Sequence, residues 1–585
     1  MRRPLFSRPP LVRAGGDWAA TSRRTEARAA PINSGASDHG AVETTRRRLW
    51  LAMACFVVAF GGLGTRLAYL TMNEVRAAQP SPSVARILDV PADRPVRPII
   101  TDRHGVVLAT QIDTTTLGAH PSRIDDAATL TAQLRAVLPN LDARRTARLL
   151  AGDRPYAVLQ RGLDPAQRRR ILELGNPALT LRREVKRVYP SGQVTAHVVG
   201  FVDTDLNGLA GLELRLDRND ERGARFATTL DIRVQHVVRD VLRDAMRKFD
   251  AEAAAAVVMD VSNGEIVALV SLPDFDPNRP MATPRRTHFN RVTLGVYELG
   301  SVFKLFTAAM AVESGLVTLN ETFETSEPLQ IGRHAINDSH GQKRPLTVSE
   351  VVTYSSNIGS AQIALRVPDN LHYDFLEKLG LTRRLEFDLP ETTAPLMPKR
   401  WTDIERATAS YGHGLAVTPL HALAAGAAMV NGGVLYPPRL TRTEMPVGAR
   451  IISAQTSARM REIMRAVVVS GTGGKADASG YGVMGKTGSA DKPYEGDYDA
   501  GRLVTSFIGA FPHRAPRYAL LVMFDEPQGI DATHGFALAG WNAAPAAGEI
   551  VARIAPLLGV MPQRGETERL TYLAPLPAEG VAYAP

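Results

Sequence analysis

Three short strings follow one another along the 585-residue chain, and their order constrains its fold more than any other feature. They are Ser301-Val302-Phe303-Lys304, Ser355-Ser356-Asn357 and Lys486-Thr487-Gly488. Each string alone is weak evidence, because patterns of three or four residues arise by chance in a chain of this length. In this order and in their local contexts, they predict a domain that brings a serine and two lysines into one acyl-transfer site.

The first string pairs a nucleophile with a base. A serine hydroxyl becomes a good nucleophile only when a neighbouring base takes its proton, and the i, i+3 spacing on a helix puts Ser301 and Lys304 on one face. Residues 304–313 are rich in helix formers, and Ser314-Gly315 predicts the helix end. Ser301 would then lie at the positive end of the helix dipole. Lys304 can act as the base only if burial and a cationic neighbour, for which Lys486 is the candidate, lower its pKa.

The second string follows a predicted helix over residues 348–354. In a Ser-x-Asn pattern, Ser355 would relay a proton and Asn357 would hold a substrate amide. The alternative is that these side chains only cap backbone groups at a helix end, which is the usual role of Ser and Asn there. On its own the string favours capping, and together with the other two strings it favours a role in the site.

The third string also completes a phosphate-binding pattern, G-x-x-x-x-G-K-[ST], over residues 480–487. A true phosphate-binding loop follows a buried strand and opens a helix. Residues 473–479 do not form a strand-like apolar run, and Gly488, Pro493 and Gly496 exclude a good helix. The sequence therefore argues against nucleotide binding.

A strand over residues 483–489 is the better prediction for this segment. It would run along a cleft and present Lys486 and Thr487 to the terminal carboxylate of a substrate. Gly488 would remove a side chain where an extended peptide must lie close to the strand.

Most of the positive charge lies in the first 48 residues. Ten arginines and four acidic residues give that segment +6 of the chain's formal charge of +9. The nearly balanced remainder argues against a nucleic-acid-binding surface, which needs positive charge clustered on a folded domain. The segment is rich in Pro, Gly, Ser and Ala without apolar periodicity, so we predict that it is disordered.

An apolar run from Leu49 to Met72 has the length of one membrane crossing, which takes about 20 residues. Arg46-Arg47-Arg48 on its near side predicts a cytoplasmic N-terminus. A cleaved signal peptide is the alternative, which the long preceding segment and the lack of a small-residue cleavage site disfavour. The only cysteine, Cys55, lies inside the run, so the exported part would hold its fold without disulfides.

Strand and helix patterns beyond residue 226 predict an α+β fold. Residues 255–270 contain two apolar runs around Asn263-Gly264, which is a hairpin signal. Two more strands are predicted over residues 503–511 and 518–524. Helical segments lie between these hairpins, so we expect an antiparallel sheet flanked by helices.

The chain resembles the class B penicillin-binding proteins, which share an active-serine fold with the serine β-lactamases. The three strings carry the resemblance, and residues 97–109 resemble the family's R-G-x-I-x-D-R-x-G-x-x-L-A motif with Pro98 in place of Gly. Further resemblances occur at residues 187–192, 197–201, 208–213, 297–300, 411–419 and 471–473. The context Tyr297-Glu298-Leu299-Gly300 before Ser301 is more similar to the cell-division type than to the elongation type.

The resemblance implies five segments. They are a disordered Arg-rich cytoplasmic tail (1–48), a transmembrane anchor (49–72), a mixed pedestal domain (73–225), a transpeptidase domain (226–561) and a Pro-rich tail (562–585). The protein would sit in the bacterial inner membrane, with its catalytic domain outside the cytoplasm. The charged motif residues of the pedestal would hold segments together, and His413 would be structural rather than catalytic.

The resemblance also implies a monofunctional peptidoglycan D,D-transpeptidase of septal cell-wall synthesis. Ser301 would attack the penultimate D-alanine carbonyl of a stem peptide, release the last D-alanine, and pass the acyl group to an amine of a neighbouring stem. The backbone amides of Ser301 and Ser489 would form the oxyanion hole. The expected catalytic residues are Ser301, Lys304, Ser355, Asn357 and Lys486, and the expected substrate-binding residues are Thr487, Gly488 and Ser489.

No cofactor and no metal are expected, and β-lactams would acylate Ser301 and stay attached. The partners implied are a membrane glycan polymerase and other division proteins. Three alternatives stay open: an elongation-type transpeptidase, a hydrolase (D,D-carboxypeptidase or β-lactamase), and a β-lactam sensor. The anchor and pedestal disfavour a β-lactamase, and a sensor would need further membrane spans or a signalling domain, for which the segment before Leu49 is too short.

Overall fold

The computed structural model describes residues 39–77, 87–88, 97–219, 223–339, 341–442, 446–494 and 497–563. The chain divides between residues 84 and 85 into two compact units, which are described separately. Two predicted segments lie largely outside the described residues: the disordered tail as far as residue 38, and the Pro-rich tail from residue 564 onward.

The first unit contains a long helix, α1 (His39–Ala77). It includes the whole apolar run from Leu49 to Met72, and Trp50 and Phe56 in that run are exposed. Residues 39–48, predicted as part of the disordered tail, are helical, because Ala, Glu and Arg there can continue the helix of the apolar run. No helix in the described part of the chain is both long enough and apolar enough to cross a membrane.

The second unit begins with a mixed domain built on one sheet, with strand order β1-β5-β3-β2-β6 and β4 paired to β3. Its strands are β1 (Ile87–Leu88), β2 (Ile99–Thr101), β3 (Val107–Ala119), β4 (Ala157–Leu163), β5 (Leu179–Val188) and β6 (Arg225–Ala227). Its helices are α2 (Ala127–Val137), α3 (Ala143–Leu150), α4 (Pro165–Glu173), α5 (Ala196–Val199) and α6 (Gly211–Arg218). Asp126, Asp142 and Asp164 cap the first three of these helices by accepting amide hydrogens of their first turns.

Buried charges join the segments at the base of this mixed domain. Glu213 is fully buried and accepts hydrogen bonds from Nε of Arg97 at 2.8 Å and from Nε of Arg187 at 2.7 Å. Arg97 also donates to the carbonyl oxygen of Leu206 at 2.6 Å. A buried carboxylate is tolerated when its charge is paired and hydrogen-bonded in this way. These motif residues thus connect β5 and the segment just before β2 to α6.

The carboxyl-terminal domain is an α+β fold around a five-stranded antiparallel sheet with strand order β15-β16-β17-β7-β8. The sheet strands are β7 (Ala253–Asp260), β8 (Ile266–Leu272), β15 (Met484–Tyr494), β16 (Asp497–Phe511) and β17 (Tyr518–Asp525). Its longer helices are α7 (Ile232–Lys248), α8 (Lys304–Glu313), α9 (Val348–Tyr354), α10 (Asn357–Arg366), α11 (Asp369–Lys378), α12 (Asp403–Ala409), α13 (Pro419–Val430), α14 (Ala454–Ser470) and α15 (Ala543–Ile554). The predicted antiparallel sheet with flanking helices is confirmed.

Short two-stranded ribbons complete this domain. They pair β9 (Thr322–Phe323) with β12 (Leu346–Thr347), β10 (Leu329–Ile331) with β11 (His334–Ile336), and β13 (Val434–Leu435) with β14 (Ala449–Arg450). The β10–β11 ribbon is followed closely by Asp338, which reaches the site described below.

Both faces of the main sheet are buried, so its central strands read as nearly continuous apolar runs. One face shares a core with α8 and α13, and this core extends into the base of the mixed domain through residues such as Ile100, Val198 and Leu212. The other face packs against α7 and α15. A separate core around Leu117 and Leu134 lies in the outer lobe, formed by α2, α3, α4, β4 and the adjoining parts of β3 and β5.

Candidate active site

The nucleophile candidate lies in a tight turn beside the edge strand of the main sheet. Ser301 belongs to a 3-10 turn, Gly300–Phe303, that leads directly into α8. Gly300 has a φ of +55°, and a Cβ there would lie 2.5 Å from the carbonyl oxygen of Ser489 on β15. Only glycine fits this backbone, because it tolerates the left-handed conformation and the close approach. The turn is thereby pressed against the strand that carries the third string.

Lys304, the first residue of α8, directs its amine at the second string. Its Nζ lies 2.8 Å from Ser301 Oγ, 2.6 Å from the carbonyl oxygen of Ser355, 3.1 Å from Ser355 Oγ and 2.7 Å from Asn357 Oδ1. An ammonium has three hydrogens for these four oxygens, whereas a neutral amine could accept a hydrogen from one of the two serine hydroxyls.

Burial of Lys304 and the positive charge of the nearby Lys486 both favour loss of a proton from Lys304. Burial lowers the pKa of Lys304 well below its usual value, the charge of Lys486 lowers it further, and Asp338 acts in the opposite direction. Burial also lowers the pKa of Lys486, to about 7. Both amines are almost fully shielded from solvent, with residue exposures of 1 % for Lys304 and 0 % for Lys486.

Ser355 connects the two amines. Its Oγ lies 3.0 Å from Lys486 Nζ, as well as 3.1 Å from Lys304 Nζ. Ser355 ends α9 with a left-handed backbone, φ +66°, which turns its hydroxyl toward the lysines. The neighbouring Ser356 caps α10 by accepting the amide hydrogen of Gly359 at 2.9 Å. Helix capping, the alternative considered for this string, therefore describes Ser356, whereas Ser355 contacts both lysines.

Asp338 holds the start of α10 in place, and sequence reasoning did not identify it. Its carboxylate accepts hydrogen bonds from Ser356 Oγ at 2.6 Å, from the amide of Ile358 at 3.0 Å and from the amide of Asn357. It lies 19 residues before Asn357 on the loop after β11, and no local pattern marks it. An acidic side chain at this helix start also complements the helix dipole.

The third string lies on β15, the edge strand of the main sheet. Lys486 pairs with Ile508 and Gly488 with Ser506 of β16, so the segment is a strand and no helix follows it, as predicted. Thr487 Oγ1 lies 2.6 Å from Thr472 Oγ1, and Ser489 Oγ accepts the amide hydrogen of Ala539 at 3.0 Å. The arrangement leaves the outer edge of β15 facing the nucleophile turn.

The structure requires glycine at position 488 for a reason different from the one expected. A Cβ there would lie 2.1 Å from the carbonyl oxygen of Leu299 and 2.9 Å from Val302 Cγ2. Packing against the nucleophile turn therefore requires this glycine, independently of any bound peptide.

A cluster of one acidic and two aromatic side chains, Glu298, Tyr498 and His413, lies near the nucleophile turn. Tyr498 Oη donates to the carboxylate of Glu298 at 3.0 Å, and the ring of His413 lies 5.0 Å from the Tyr498 ring. Burial raises the pKa of Glu298 and lowers that of His413. His413 contacts rings rather than a nucleophile, which fits the structural role expected for it. Glu298 and Tyr498 were not predicted as site residues, because their contact joins segments 200 residues apart.

The structure thus brings Ser301, Lys304, Ser355, Asn357 and Lys486 into one continuous hydrogen-bonded group. Thr487 lies beside Lys486, while Gly488 and Ser489 contact the nucleophile turn through their backbones. Within the described residues, no three His, Cys, Asp or Glu side chains are grouped so as to hold a metal ion. A serine hydroxyl beside a buried amine of lowered pKa can perform nucleophilic acyl transfer.

Comparison with protein-family models gives two matches. Residues 254–551 match the penicillin binding protein transpeptidase domain, and residues 92–222 match the penicillin-binding protein dimerisation domain. The first match contains all three strings, and the second covers most of the mixed domain.

The chain is also similar to curated proteins over most of its length. It is 36% identical over 546 residues to the probable peptidoglycan D,D-transpeptidase FtsI of Caulobacter vibrioides, covering 90% of this chain and 91% of that protein. It is 30% identical over 556 residues to the peptidoglycan D,D-transpeptidase FtsI of Escherichia coli K12, covering 88% of this chain and 92% of that protein.

Among solved structures, the chain resembles penicillin binding protein 3 of Mycobacterium tuberculosis in complex with ampicillin. The TM-score is 0.65 at 26% sequence identity, and the match covers 82% of this chain and 99% of that one. The similarity therefore spans both the mixed domain and the carboxyl-terminal domain.

Proposed function

The chain belongs to the penicillin-binding protein transpeptidase family, and from this premise we propose that it is a peptidoglycan D,D-transpeptidase in which Ser301 forms the acyl-enzyme. The observation that carries the proposal is the 2.8 Å contact between Ser301 Oγ and Nζ of the buried Lys304. Lys304 is the base that activates this serine.

The hydrogen bonds around Lys304 suit a neutral amine. A neutral amine has two hydrogens and one lone pair. The carbonyl oxygen of Ser355 and Oδ1 of Asn357, at 2.6 and 2.7 Å, accept the two hydrogens. The lone pair then accepts the hydrogen of the Ser301 hydroxyl, which is the arrangement that general-base activation needs.

In the first half-reaction, Ser301 Oγ attacks the penultimate D-alanine carbonyl carbon of a stem peptide and its proton passes to Lys304. The bond to the terminal D-alanine breaks, and a proton returns to the leaving amine through Ser355, whose Oγ lies between both lysines. The amides of Ser301 and Ser489 stabilise the oxyanion. Lys486 and Thr487 bind the terminal carboxylate, and Asn357 binds a substrate amide.

In the second half-reaction, an amine of a neighbouring stem peptide attacks the acyl carbon and loses a proton to Lys304. The bond between that carbon and Ser301 Oγ breaks, and Lys304 returns the proton to Oγ. A β-lactam enters the first half-reaction only. Its ring amide opens on Ser301, but the leaving nitrogen stays tethered to the acyl group, so the covalent adduct persists.

We also propose that the apolar run from Leu49 to Met72 anchors the protein in the bacterial inner membrane, with the N-terminus in the cytoplasm. Arg46 to Arg48 before the apolar run support this orientation, and the exposed apolar side chains along α1 support contact with lipid. The similarity to FtsI proteins supports a role in septal synthesis, beside a membrane glycan polymerase and other division proteins.

The test is covalent labelling of the purified full-length chain by a fluorescent penicillin. We expect one equivalent of label on the wild type and none on Ser301→Ala. Ser314→Ala, at the far end of the same helix, is the matched control and should label normally. Absence of label from well-folded wild-type protein contradicts the proposal.

The same assay separates transfer from hydrolysis. A transpeptidase inhibited by penicillin consumes one equivalent and then stops, whereas a β-lactamase turns penicillin over continuously. Continuous turnover would replace the proposed function by a hydrolytic one that uses the same serine.

A further inference from the structure

The outer lobe of the mixed domain carries a positive charge that the near balance of the chain as a whole conceals. Residues 127–186, which contain α2, α3, α4, β4 and most of β5, include 12 basic and five acidic residues. Their net charge is +7, whereas the whole chain beyond residue 48 carries +3, so the rest of that part carries −4. The positive charge of the folded domains is therefore concentrated in this lobe.

The charge lies on the surface and is not neutralised within the lobe. Eleven of the 12 basic residues are exposed, and among the described residues only Arg161 of the twelve has an ion pair, with Glu184. Asp142 and Asp164 accept amide hydrogens in the first turns of α3 and α4, so they cap these helices and do not bind the arginines. Ion pairs that stabilise the fold therefore do not account for the surplus of arginine.

A cavity of about 370 Å³ lies at the end of α3, within this surface. Arg145, Arg148 and Arg154 line it together with Asp153, so the lining carries a net charge of +2. Each guanidinium presents several donors in a planar fork, which matches the oxygens of a phosphate. Because a phosphate has several acceptor oxygens, it can bind more than one of these arginines at once.

The surface of the lobe does not resemble the centre of a protein–protein interface, which is largely apolar. No large apolar side chain is exposed between residues 113 and 208, a range that the structure describes completely. Exposed arginines without apolar neighbours fit a polyanion that binds mainly through its charge. The partner favoured by these observations is therefore a surface of phosphate groups.

Resting on the membrane anchorage proposed above, we propose that the outer lobe binds the anionic phospholipid headgroups of the bilayer. A headgroup phosphate occupies the cavity between Arg145, Arg148 and Arg154, and Arg144, on the same face of α3 as Arg148, contacts neighbouring headgroups. Anchorage raises the effective concentration of headgroups around the rest of the chain. Nucleic acid carries similar phosphates, but in the proposed orientation it lies on the other side of the membrane.

The test is hydrogen exchange of the full-length protein in nanodiscs made of phosphatidylcholine alone or of an equal mixture with phosphatidylglycerol. We expect the amides of residues 143–154 to exchange more slowly in the anionic nanodiscs, and the difference to shrink at high salt, which screens charge. Each arginine near an anionic surface strengthens binding about fivefold. Replacing Arg145, Arg148 and Arg154 together by glutamine should therefore weaken binding about 10²-fold and remove the protection.

The matched control removes three exposed arginines from the acylating domain instead. Arg247→Gln, Arg285→Gln and Arg286→Gln together change the net charge by the same amount, outside the outer lobe. This variant should keep the protection of residues 143–154. Equal loss of protection in the two triple variants would show that only the net charge matters, and it would overturn the assigned site.

Poly-L-glutamate, added to the phosphatidylcholine nanodiscs, is the second probe. Protection of residues 143–154 by this polymer but not by phosphatidylglycerol would assign the surface to an acidic polypeptide and overturn the lipid assignment. Equal exchange under all conditions also overturns it.

Penicillin labelling of the same samples separates this inference from the proposed function. Labelling of Ser301 should be equal in both kinds of nanodisc, and its loss from the wild type would overturn the proposed function rather than the lipid site. Protein that does not enter nanodiscs would overturn the anchorage and, with it, the inference that rests on it.

Discussion

Two lysine amines share one serine hydroxyl at the centre of this site. Ser355 Oγ lies 3.1 Å from Lys304 Nζ and 3.0 Å from Lys486 Nζ, and both lysines are buried. In such a place a second positive charge is costly, so at least one amine is driven toward its neutral form. Under the proposed mechanism, the charge of Lys486 therefore influences the reactivity of Ser301 through the pKa of Lys304.

Replacing Lys304 by arginine tests whether this residue must lose a proton. Arginine keeps the positive charge and the donors but stays protonated in proteins. We expect acylation by penicillin to slow by about 10²–10⁴-fold, the range of general-base catalysis. Stopped-flow or gel-based acylation rates measure the effect, and a thermal melt shows that the fold is kept. Lys304→Met should lose a similar factor, and a Lys304→Arg enzyme of normal rate would show that another group is the base.

Replacing Lys486 by methionine tests the electrostatic coupling. The charge of Lys486 disfavours protonated Lys304 and lowers its pKa, so its removal should raise the pKa of Lys304. Acylation needs neutral Lys304, and the rising limb of its pH–rate profile should therefore move to higher pH. The readout is the pH at the midpoint of this limb, because the maximal acylation rate also falls when the contact between Lys486 and Ser355 is lost. A limb that stays in place or moves to lower pH would contradict the coupling.

At the scale of elements, the site exists because a turn and an edge strand approach to backbone contact. The nucleophile turn before α8 supplies Ser301, β15 supplies Lys486 and Thr487, and the end of α9 supplies Ser355. Glycines at 300 and 488 make this approach possible, one on each side. The distance between serine and strand is therefore set by main-chain packing rather than by the catalytic side chains.

Gly488→Ala is expected to damage the site through this packing. The new Cβ would lie 2.1 Å from the carbonyl oxygen of Leu299, so the strand or the turn must move. Overpacking of this kind costs about 1–3 kcal/mol of folding free energy. Because Ser301 shifts, penicillin acylation should slow even at temperatures where a thermal melt shows that the domain is still folded. Gly223→Ala, whose Cβ would meet nothing within 4 Å, is the control. Normal acylation by Gly488→Ala would mean that the contact is not essential.

In the second unit, the distribution of hydrophobic cores determines which parts of the mixed domain support the site. The core under the site continues into the base of the mixed domain, where Glu213 binds Arg97 and Arg187. The core of the outer lobe is separate. Damage at the base should therefore reach the site, and damage in the outer lobe should not.

A pair of leucine truncations tests this division. Leu134 and Leu212 are both fully buried, the first in the outer lobe and the second in the shared core. Each Leu→Ala change should cost about 2–5 kcal/mol. Leu134→Ala should expose the outer lobe to hydrogen exchange and leave the penicillin acylation rate unchanged, whereas Leu212→Ala should lower the melting temperature of the acylating domain. A fall in the acylation rate of Leu134→Ala as large as that of Leu212→Ala would show that the lobes are one cooperative unit.

The amino-acid sequence by itself determined the local elements that carry the site. Helix α8 spans the predicted residues 304–313, α9 spans 348–354, and the strands of β7, β8, β16 and β17 match their apolar patterns. These elements follow from short-range preferences: periodicity, an Asn-Gly turn and helix ends. The order of the three strings resembles that of the penicillin-binding proteins, and this resemblance predicted which elements meet.

Only the tertiary structure decided how these elements contact one another. Asp338 at the start of α10 and the Glu298–Tyr498 pair join segments separated by 19 and 200 residues, and no local pattern encodes such contacts. The sequence suggested that glycine at position 488 makes room for substrate, whereas the structure shows that it makes room for the backbone of Leu299. Local preference specifies backbone conformation, whereas the environment of a side chain depends on which distant residues the fold packs against it.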